Sequence, residues 1–317
     1  MDAPSAHIPV LLDEVLRVLD PAPGEVFVDC TAGLGGHARG VASRLGPEGT
    51  AVLVDLDPAS LAIAERETRA ALRPDDPGSA RVVPIHANFL SVPDELAARG
   101  IRADTVLADL GFSSAQVDDP SRGMSFRTSG PLDMRLDPGG PITAAELVNT
   151  LPEADLADLI RRFGEERHAR RIAQKVVATR AAVPITTTDQ LAELVRAAQP
   201  ARGGPIDPAT RTFQALRIAV NDELGSLDAL LRRVAAGAAS SARPEGWLAP
   251  GARIAIIAFH SLEDRPVKRA FASIASDGFG ELITRKPLEA GADEIGRNPR
   301  SRSAKLRALR ISGDNPG

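Results

Sequence analysis

The chain has 317 residues, 43% of them apolar and 25% charged, which suits one large or two modest domains with a sizeable core and excludes a disordered chain. Its net charge of −4 argues against strong nonspecific nucleic-acid binding. A single cysteine (Cys30) and five scattered histidines with no HxxxH or HExxH pair exclude an internal disulfide and give no metal signature, so no metal is expected.

Residues 10–19 carry apolar positions at helical spacing and predict an amphipathic helix, stopped by Pro21-Ala22-Pro23-Gly24. Glu25-Val26-Phe27-Val28-Asp29-Cys30 is a short apolar run ending at a glycine cluster, as a buried parallel strand does. A helix over 37–45, a strand over 51–55, a helix over 58–72, a strand over 81–86, a helix over 93–99 and a strand over 105–109 follow. That alternation predicts a doubly wound α/β sheet. Residues 118–140, rich in Asp, Gly, Pro, Ser and Arg, read as a functional loop, and 143–200 show only helical patterns. A long helical stretch begins near Thr210, and 252–259 is the next strong strand. The longest aliphatic-aromatic run, 254–259, is far shorter than the about 20 residues that span a bilayer. No basic-then-apolar leader opens the sequence, so a soluble, cytoplasmic protein is expected.

In Val28-Asp29-Cys30-Thr31-Ala32-Gly33-Leu34-Gly35-Gly36-His37 the glycines permit a tight strand-to-helix turn and a close approach of a cofactor to the backbone. Asp55 ends the second strand 26 residues after Asp29 (55 − 29), where a carboxylate accepts hydrogen bonds from both hydroxyls of a ribose. To this point nicotinamide dinucleotide and S-adenosylmethionine fit equally well. Asp29, just ahead of the glycines, suits an ammonium group and repels a pyrophosphate. Asn88-Phe89, at the end of the third strand, suits an adenine. Both favour S-adenosylmethionine. Asp109 ends the fourth strand at the ligand-facing edge, and two roles stay open for it: binding the donor, or accepting from the protons of an amine to be methylated.

Several longer blocks resemble the RsmH (MraW) family of 16S ribosomal RNA cytidine-N4 methyltransferases. They are His7-Ile8-Pro9-Val10-Leu11-Leu12-Asp13-Glu14-Val15, residues 27–37, Asp109-Leu110-Gly111-Phe112-Ser113-Ser114-Ala115-Gln116-Val117-Asp118 and Arg122-Gly123-Met124-Ser125-Phe126. Arg211-Thr212-Phe213-Gln214-Ala215-Leu216-Arg217, Asn221-Asp222-Glu223-Leu224, Phe259-His260-Ser261-Leu262-Glu263-Asp264-Arg265 and residues 298–307 complete the set. Ala38, where a small hydroxyl residue is expected, and Phe112, where valine is commoner, depart from the pattern. The resemblance implies a class I, Rossmann-like methyltransferase fold with an inserted all-helical substrate-recognition domain. The insertion is placed at 136–215, between parts 1–135 and 216–317, the latter ending in a basic tail. It implies donor contacts at Gly35, Gly36, His37, Asp55, Phe89, Asp109 and Gln116, beside Asp29 and Gly33 read above. The acceptor it implies is the N4 amine of a decoding-centre cytidine in the small ribosomal subunit.

On the acceptor side, His260, Glu263 and Asp264 follow the strand that ends at Phe259. Methylating an amine with a sulfonium needs little general base, so this block is expected to position substrate, with His260 as a catalytic candidate beside Asp109 and helix capping as the plain alternative. Arg122, Arg127 and Arg135 flank Phe126, a pattern suited to phosphates and a stacked base, although an isolated segment of this kind is an ordinary solvated loop. Residues 297–310 hold six basic residues and no acid, among them Arg300 and Arg302. By default they are a solvated tail, and the implied RNA acceptor makes them contacts. Only four of the 38 basic residues are lysines, so arginine abundance alone carries little meaning. Arg161, Arg162 and Arg171, interspersed with Glu165 and Glu166, predict a self-paired helix surface. A nicotinamide-dependent oxidoreductase on the same turn, or a non-catalytic ribosome-binding module, are the competing functions. The oligomeric state is not legible.

Overall fold

Strands buried on both faces must be apolar along their length, and a chain that alternates such runs with amphipathic helices winds into a parallel sheet. The computed structural model describes residues 8–72, 79–111, 114–199 and 207–313, the side chains of Ser114 and Ala115 excepted. His7, Phe112 and Ser113 of the family-like blocks lie outside the described residues. The chain divides into two compact units, Met1–Gly111 with Leu224–Gly317, and Phe112–Glu223.

The first unit is built on a seven-stranded sheet of order β3-β2-β1-β4-β5-β7-β6. Its strands are β1 (Val26–Asp29), β2 (Thr50–Asp55), β3 (Arg81–His86), β4 (Ala103–Asp109), β5 (Leu248–Ala258), β6 (Gly280–Leu282) and β7 (Lys305–Ile311). β1 to β5 pair in parallel, and β7 runs antiparallel to β5 and β6. The five strands expected from the sequence are these five parallel ones, and the fold is the Rossmann-like α/β sheet. Helix α1 (Leu12–Leu19) lies against β5 and β7, while α2 (Gly36–Ala42), α3 (Pro58–Ala71) and α4 (Val92–Ala98) connect the first four strands. Strand order reverses between β1 and β4, which opens a crevice at the carboxyl ends of those two strands. One apolar cluster, including Val28, Val52, Val106, Ile254 and Phe271, and a second, including Phe27, Leu53, Leu107, Ile257 and Leu306, form the unit's core. No described helix is long and apolar enough to cross a membrane.

The expected basic tail is not a tail. Residues 292–297 are a helix, 299–303 a 3-10 turn and 305–311 the strand β7, with Leu306, Ala308, Leu309 and Ile311 buried. The count of charges hid a run (Leu306-Arg307-Ala308-Leu309-Arg310-Ile311) with apolar residues enough to enter the sheet. Arg307 is itself buried and donates to Asp264 from Nε at 2.7 Å and from Nη2 at 3.2 Å.

The second unit is helical, with α5 (Ser114–Asp118), α6 (Ala144–Thr150), α7 (Glu153–Gly164), α8 (Ala169–Arg180), α9 (Thr188–Ala198) and α10 (Ala209–Asn221), and α11 (Glu223–Ala239) begins at its last residue. Its core gathers Leu132, Met134, Leu156, Ile160, Ile172, Leu191, Phe213 and Leu216. The sequence-based limits at 136 and 215 fall inside this unit. Residues 118–135 carry no helical period, yet Leu132 and Met134 are fully buried there and anchor the segment. Gly123 and Gly130 explain how an apparent loop packs so closely. A Cβ at Gly123 would stand 2.1 Å from the carbonyl oxygen of Pro131, and one at Gly130 2.0 Å from that of Pro120. The helix surface at Arg161 and Arg162 is self-paired as expected, but through Asp158. Glu166 is buried instead and accepts from the His168 N–H.

Helices α7 and α10 meet where α7 ends at Gly164. A Cβ there would lie 2.5 Å from the Arg211 carbonyl oxygen and 3.3 Å from Ala215 Cβ. Gly164→Ala should therefore overpack the second unit and lower its stability by about 1–3 kcal/mol. An unchanged urea midpoint in that variant would show that the two helices separate without penalty.

Candidate functional site

Asp55, Asp29 and Asp109 end β2, β1 and β4, three neighbouring strands, at their carboxyl edge. The register sets Asp29 opposite Leu53 and Leu107, so Asp55 and Asp109 each project two residues further than Asp29. Asp29 is thereby recessed and only 1% exposed. The chain leaving β1 stays tied to the sheet, Cys30 N–H donating to Leu107 and Ala32 N–H to Val54 carbonyls. Backbone donors meet the carboxylates: Thr31 N–H to Asp29 (3.1 Å), Gly33 N–H to Asp55 (2.7 Å) and Asp57 N–H to the other Asp55 oxygen (2.8 Å). The Asp109 N–H donates to Thr31 Oγ1 at 2.6 Å. Thr31 thus joins β1 to β4, a part the sequence did not single out.

Burial dominates the electrostatics. It pushes Asp29 up to about 7, against the Thr31 N–H and with a smaller push from Asp55. It also raises Asp55, opposed by the N–H groups of Asp57 and Gly33. Asp109 lies well above the usual carboxylate range, first through burial and then through the charges of Asp29 and Glu263. Its Oδ1 is buried without a hydrogen-bond partner among the described residues. A row of buried and half-buried acids with one orphaned oxygen fits a cationic ligand bearing hydroxyl donors and is hostile to a pyrophosphate.

The glycines of the turn do different jobs. Gly35 (φ +80°) needs its missing side chain because Ala64 of α3 lies 3.0 Å from a Cβ there, and at Gly36 Pro9 is 3.1 Å away. Protein packing, then, dictates both glycines. At Gly33 (φ +52°) only the Thr31 carbonyl comes within 4 Å of a Cβ, so that position faces open space. His37, on the first turn of α2, is buried. Its Nε2 stands 2.8 Å from the Val10 carbonyl, which fixes the proton on Nε2 and turns Nδ1 toward Asp109 Oδ2 at 3.7 Å. Phe89 opens a 3-10 turn after β3 and packs partly buried on the core. Asn88 caps that turn, accepting from Leu90 N–H and donating to Ser226 Oγ, so its amide is already engaged in the fold.

At the end of β5, His260 begins helix α12 (Ser261–Ser276). Glu263 is buried, accepts from the N–H groups of Phe259 (2.8 Å) and His260 (3.3 Å), and holds His260 Nε2 at 3.2 Å. Glu263 closes the capping box that His260 opens, and Asp264 is the partner of Arg307, which gives both carboxylates structural work. The His260 side chain is largely buried, at 16% exposure, close to the 13% of Asp264. Arg300 and Arg302 are exposed on the 3-10 turn before β7.

The remaining expected residues belong to the second unit. Gln116 is buried on α5. Arg122 is half-buried and donates to the Leu136 carbonyl, while Arg127 is exposed. Phe126 packs edge-on to Phe213 (4.9 Å between centroids) with the Arg196 guanidinium 5.7 Å from its ring, so it has two aromatic-face partners within its own unit.

The MraW methylase family profile matches residues 4–312. The chain is similar to proteins named ribosomal RNA small subunit methyltransferase H. That of Acidobacterium capsulatum is 46% identical over 303 residues, covering 95% of this chain and 97% of its own length. That of Sorangium cellulosum is 47% identical over 309 residues, covering 97% and 91%. A third, from Halorhodospira halophila, is 47% identical over 328 residues, covering 97% and 95%.

A carboxyl that holds its proton more tightly folded than unfolded favours the fold at low pH. That advantage disappears as pH rises from the unfolded pKa to the folded one. For Asp29 the window runs from its ordinary 3.8 to about 7. Asp29→Asn, which keeps an acceptor for Thr31, should flatten the fall in unfolding free energy across that window and leave the variant the more stable at pH 8. Parallel urea midpoints at pH 5 and pH 8 for both proteins measure it, and identical pH slopes would contradict the assignment.

Proposed function

This chain belongs to the MraW methylase family, and we propose that it methylates the N4 amine of a decoding-centre, P-site cytidine of 16S ribosomal RNA in the small ribosomal subunit. It is a methyltransferase whose cofactor is S-adenosyl-L-methionine. The observation that carries the reading is the row of acids on adjacent strands, Asp29 buried between the half-buried Asp55 and Asp109, which matches a donor with two cationic centres and a ribose. The same row disfavours a dinucleotide oxidoreductase, because a pyrophosphate would add like charge. The name borne by the similar proteins supports small-subunit ribosomal RNA as the acceptor.

Bound S-adenosyl-L-methionine supplies an electrophilic methyl group on a sulfonium. On this reading Asp29 receives the ammonium and Asp55 the ribose hydroxyls, with Gly33, Gly35 and Gly36 offering backbone. His37, Phe89 and Gln116 complete the donor contacts that the family resemblance implies. Asp109, with an oxygen left over, binds the donor or accepts a proton of the acceptor amine and so aligns its lone pair. The proton displaced from the methylated amine is acidic and leaves to water or to a carboxylate, so no strong base is required. His260 positions the cytosine, while Arg122, Phe126, Arg127, Arg300 and Arg302 contact RNA. Glu263 and Asp264 support the acceptor side through His260 and Arg307.

Purified small subunits lacking the modification should take up methyl label from the tritiated donor, and mass spectrometry should place it on a cytosine base. Label on a ribose, or no transfer, would overturn the proposal. Asp55→Ala should weaken donor binding by about tenfold or more, the usual worth of hydrogen bonds to an ionised group. An unchanged dissociation constant by calorimetry would remove Asp55 from the site. Arg300→Glu combined with Arg302→Glu should weaken subunit binding most at low salt and leave donor affinity as it was. Equal subunit binding across a salt series would show that the turn does not touch RNA.

A further inference from the structure

The first described residues lie over the donor turn. Pro9 sits where a side chain on Gly36 would be, and the Val10 carbonyl holds His37 Nε2. Leu12 packs against Gly40 in the same way, 2.9 Å from the place of a Cβ. This short strap therefore shapes two residues of α2 and fixes which nitrogen of His37 faces Asp109.

The strap does not hold itself in place. Leu11, the residue before α1, is fully buried with a left-handed backbone (φ 55°, ψ 34°), unusual for a branched apolar side chain, and supplies no side-chain cap. In a capping box the third helical residue reaches back to the N–H of the cap residue. In α1 that residue is Glu14, and a different acid does the work. Glu294 of α13 (Ala292–Arg297) accepts the Leu11 N–H through Oε1 at 2.8 Å, across 283 residues of chain. Its negative charge also sits at the positive end of the α1 dipole. One turn further on, Asn298 Nδ2 donates to the Ile8 carbonyl at 3.0 Å. Both ends of the strap are thus clasped by one short segment, and that segment runs on into Arg300 and Arg302.

We propose that Glu294 and Asn298 are positioning residues for the donor site, acting through the strap of residues 8–11 on His37 and the glycine turn. The inference rests on the donor reading given above. Glu294 touches no donor; it determines whether the Val10 carbonyl is where His37 needs it. Loosening the clasp frees the His37 ring, removes the constraint on its protonated nitrogen, and lets Pro9 lift from Gly36.

The test compares Glu294→Ala, Glu294→Gln and Asn298→Ala with the natural protein. Glu294→Ala should weaken binding of S-adenosyl-L-methionine by about fivefold or more in calorimetry, the low end of coupling between sites. Without donor present, it should also speed hydrogen exchange at the Leu11 amide and move the His37 ring signals in nuclear magnetic resonance. Glu294→Gln retains an acceptor oxygen and should restore all three readouts. Asn298→Ala, which removes only the Ile8 bond, should shift them in the same direction by less, and it serves if Glu294→Ala fails to fold. Faster Leu11 exchange with unchanged donor affinity would overturn the positioning role. Unchanged Leu11 exchange would overturn the clasp itself. Failure of the natural protein to bind the donor would sink the donor reading and this inference with it, an outcome distinct from normal binding by every variant.

Discussion

Neighbouring strands stand about 4.8 Å apart, and here three of them in succession end in an aspartate, the middle one buried and its neighbours half-buried. Like charges so close, and so poorly hydrated, cannot all ionise without help, and no lysine or arginine among the described residues pairs with any of them. Backbone N–H groups from the β1–α2 turn and from Asp57 take part of the load. The site is consequently arranged before a ligand arrives, with its donors spent on holding the acids in place and its unmet demand reserved for positive charge. The reversal of strand order beside β1, the tight glycine turn and the Thr31 link to β4 all serve to keep that row aligned.

A minority of this chain's arginines serve as internal scaffolding. Arg180 caps the end of α6 through the Val148 and Leu151 carbonyls, Arg217 pairs with Glu223, and Arg135 pairs with Asp133. Arg307 carries its guanidinium into the sheet to meet Asp264. A planar fork with five donors suits such bridging, which explains why so many arginines mark no interface. Most of the other described arginines are exposed, Arg127, Arg300 and Arg302 among them, and only a fold distinguishes the two groups.

The five parallel strands were legible because each is a short apolar run bounded by a turn or an acid, and the acids at their ends gave the donor edge directly. β6 and β7 were not. β6 has three residues, and β7 alternates arginine with apolar side chains in a segment whose charge drew attention away from its period. The insertion was legible as helical, but its limits were not, since 118–135 packs through glycine-mediated backbone contacts that have no periodic signature. Gly35 and Gly36 read as cofactor glycines and prove to be packing glycines as well, a distinction that depends on Ala64 and Pro9, remote in sequence. Glu263 and Asp264 looked like acceptor-side acids because they follow a histidine at a strand end. Their partners are a helix start and an arginine 43 residues later, which no local pattern announces.

The bond between Leu11 and Glu294 also bears on the order in which the site is completed. The strap and glycine turn precede the second unit in the chain, and the residues that fasten the strap follow it. Loop closure across that much chain is slow compared with the pairing of β1 with β2, its neighbour in sequence. With Glu294 as the clasp, the β1–α2 turn can form while His37 is still unlatched. Engagement of the methyl donor then waits on the fastening of the strap.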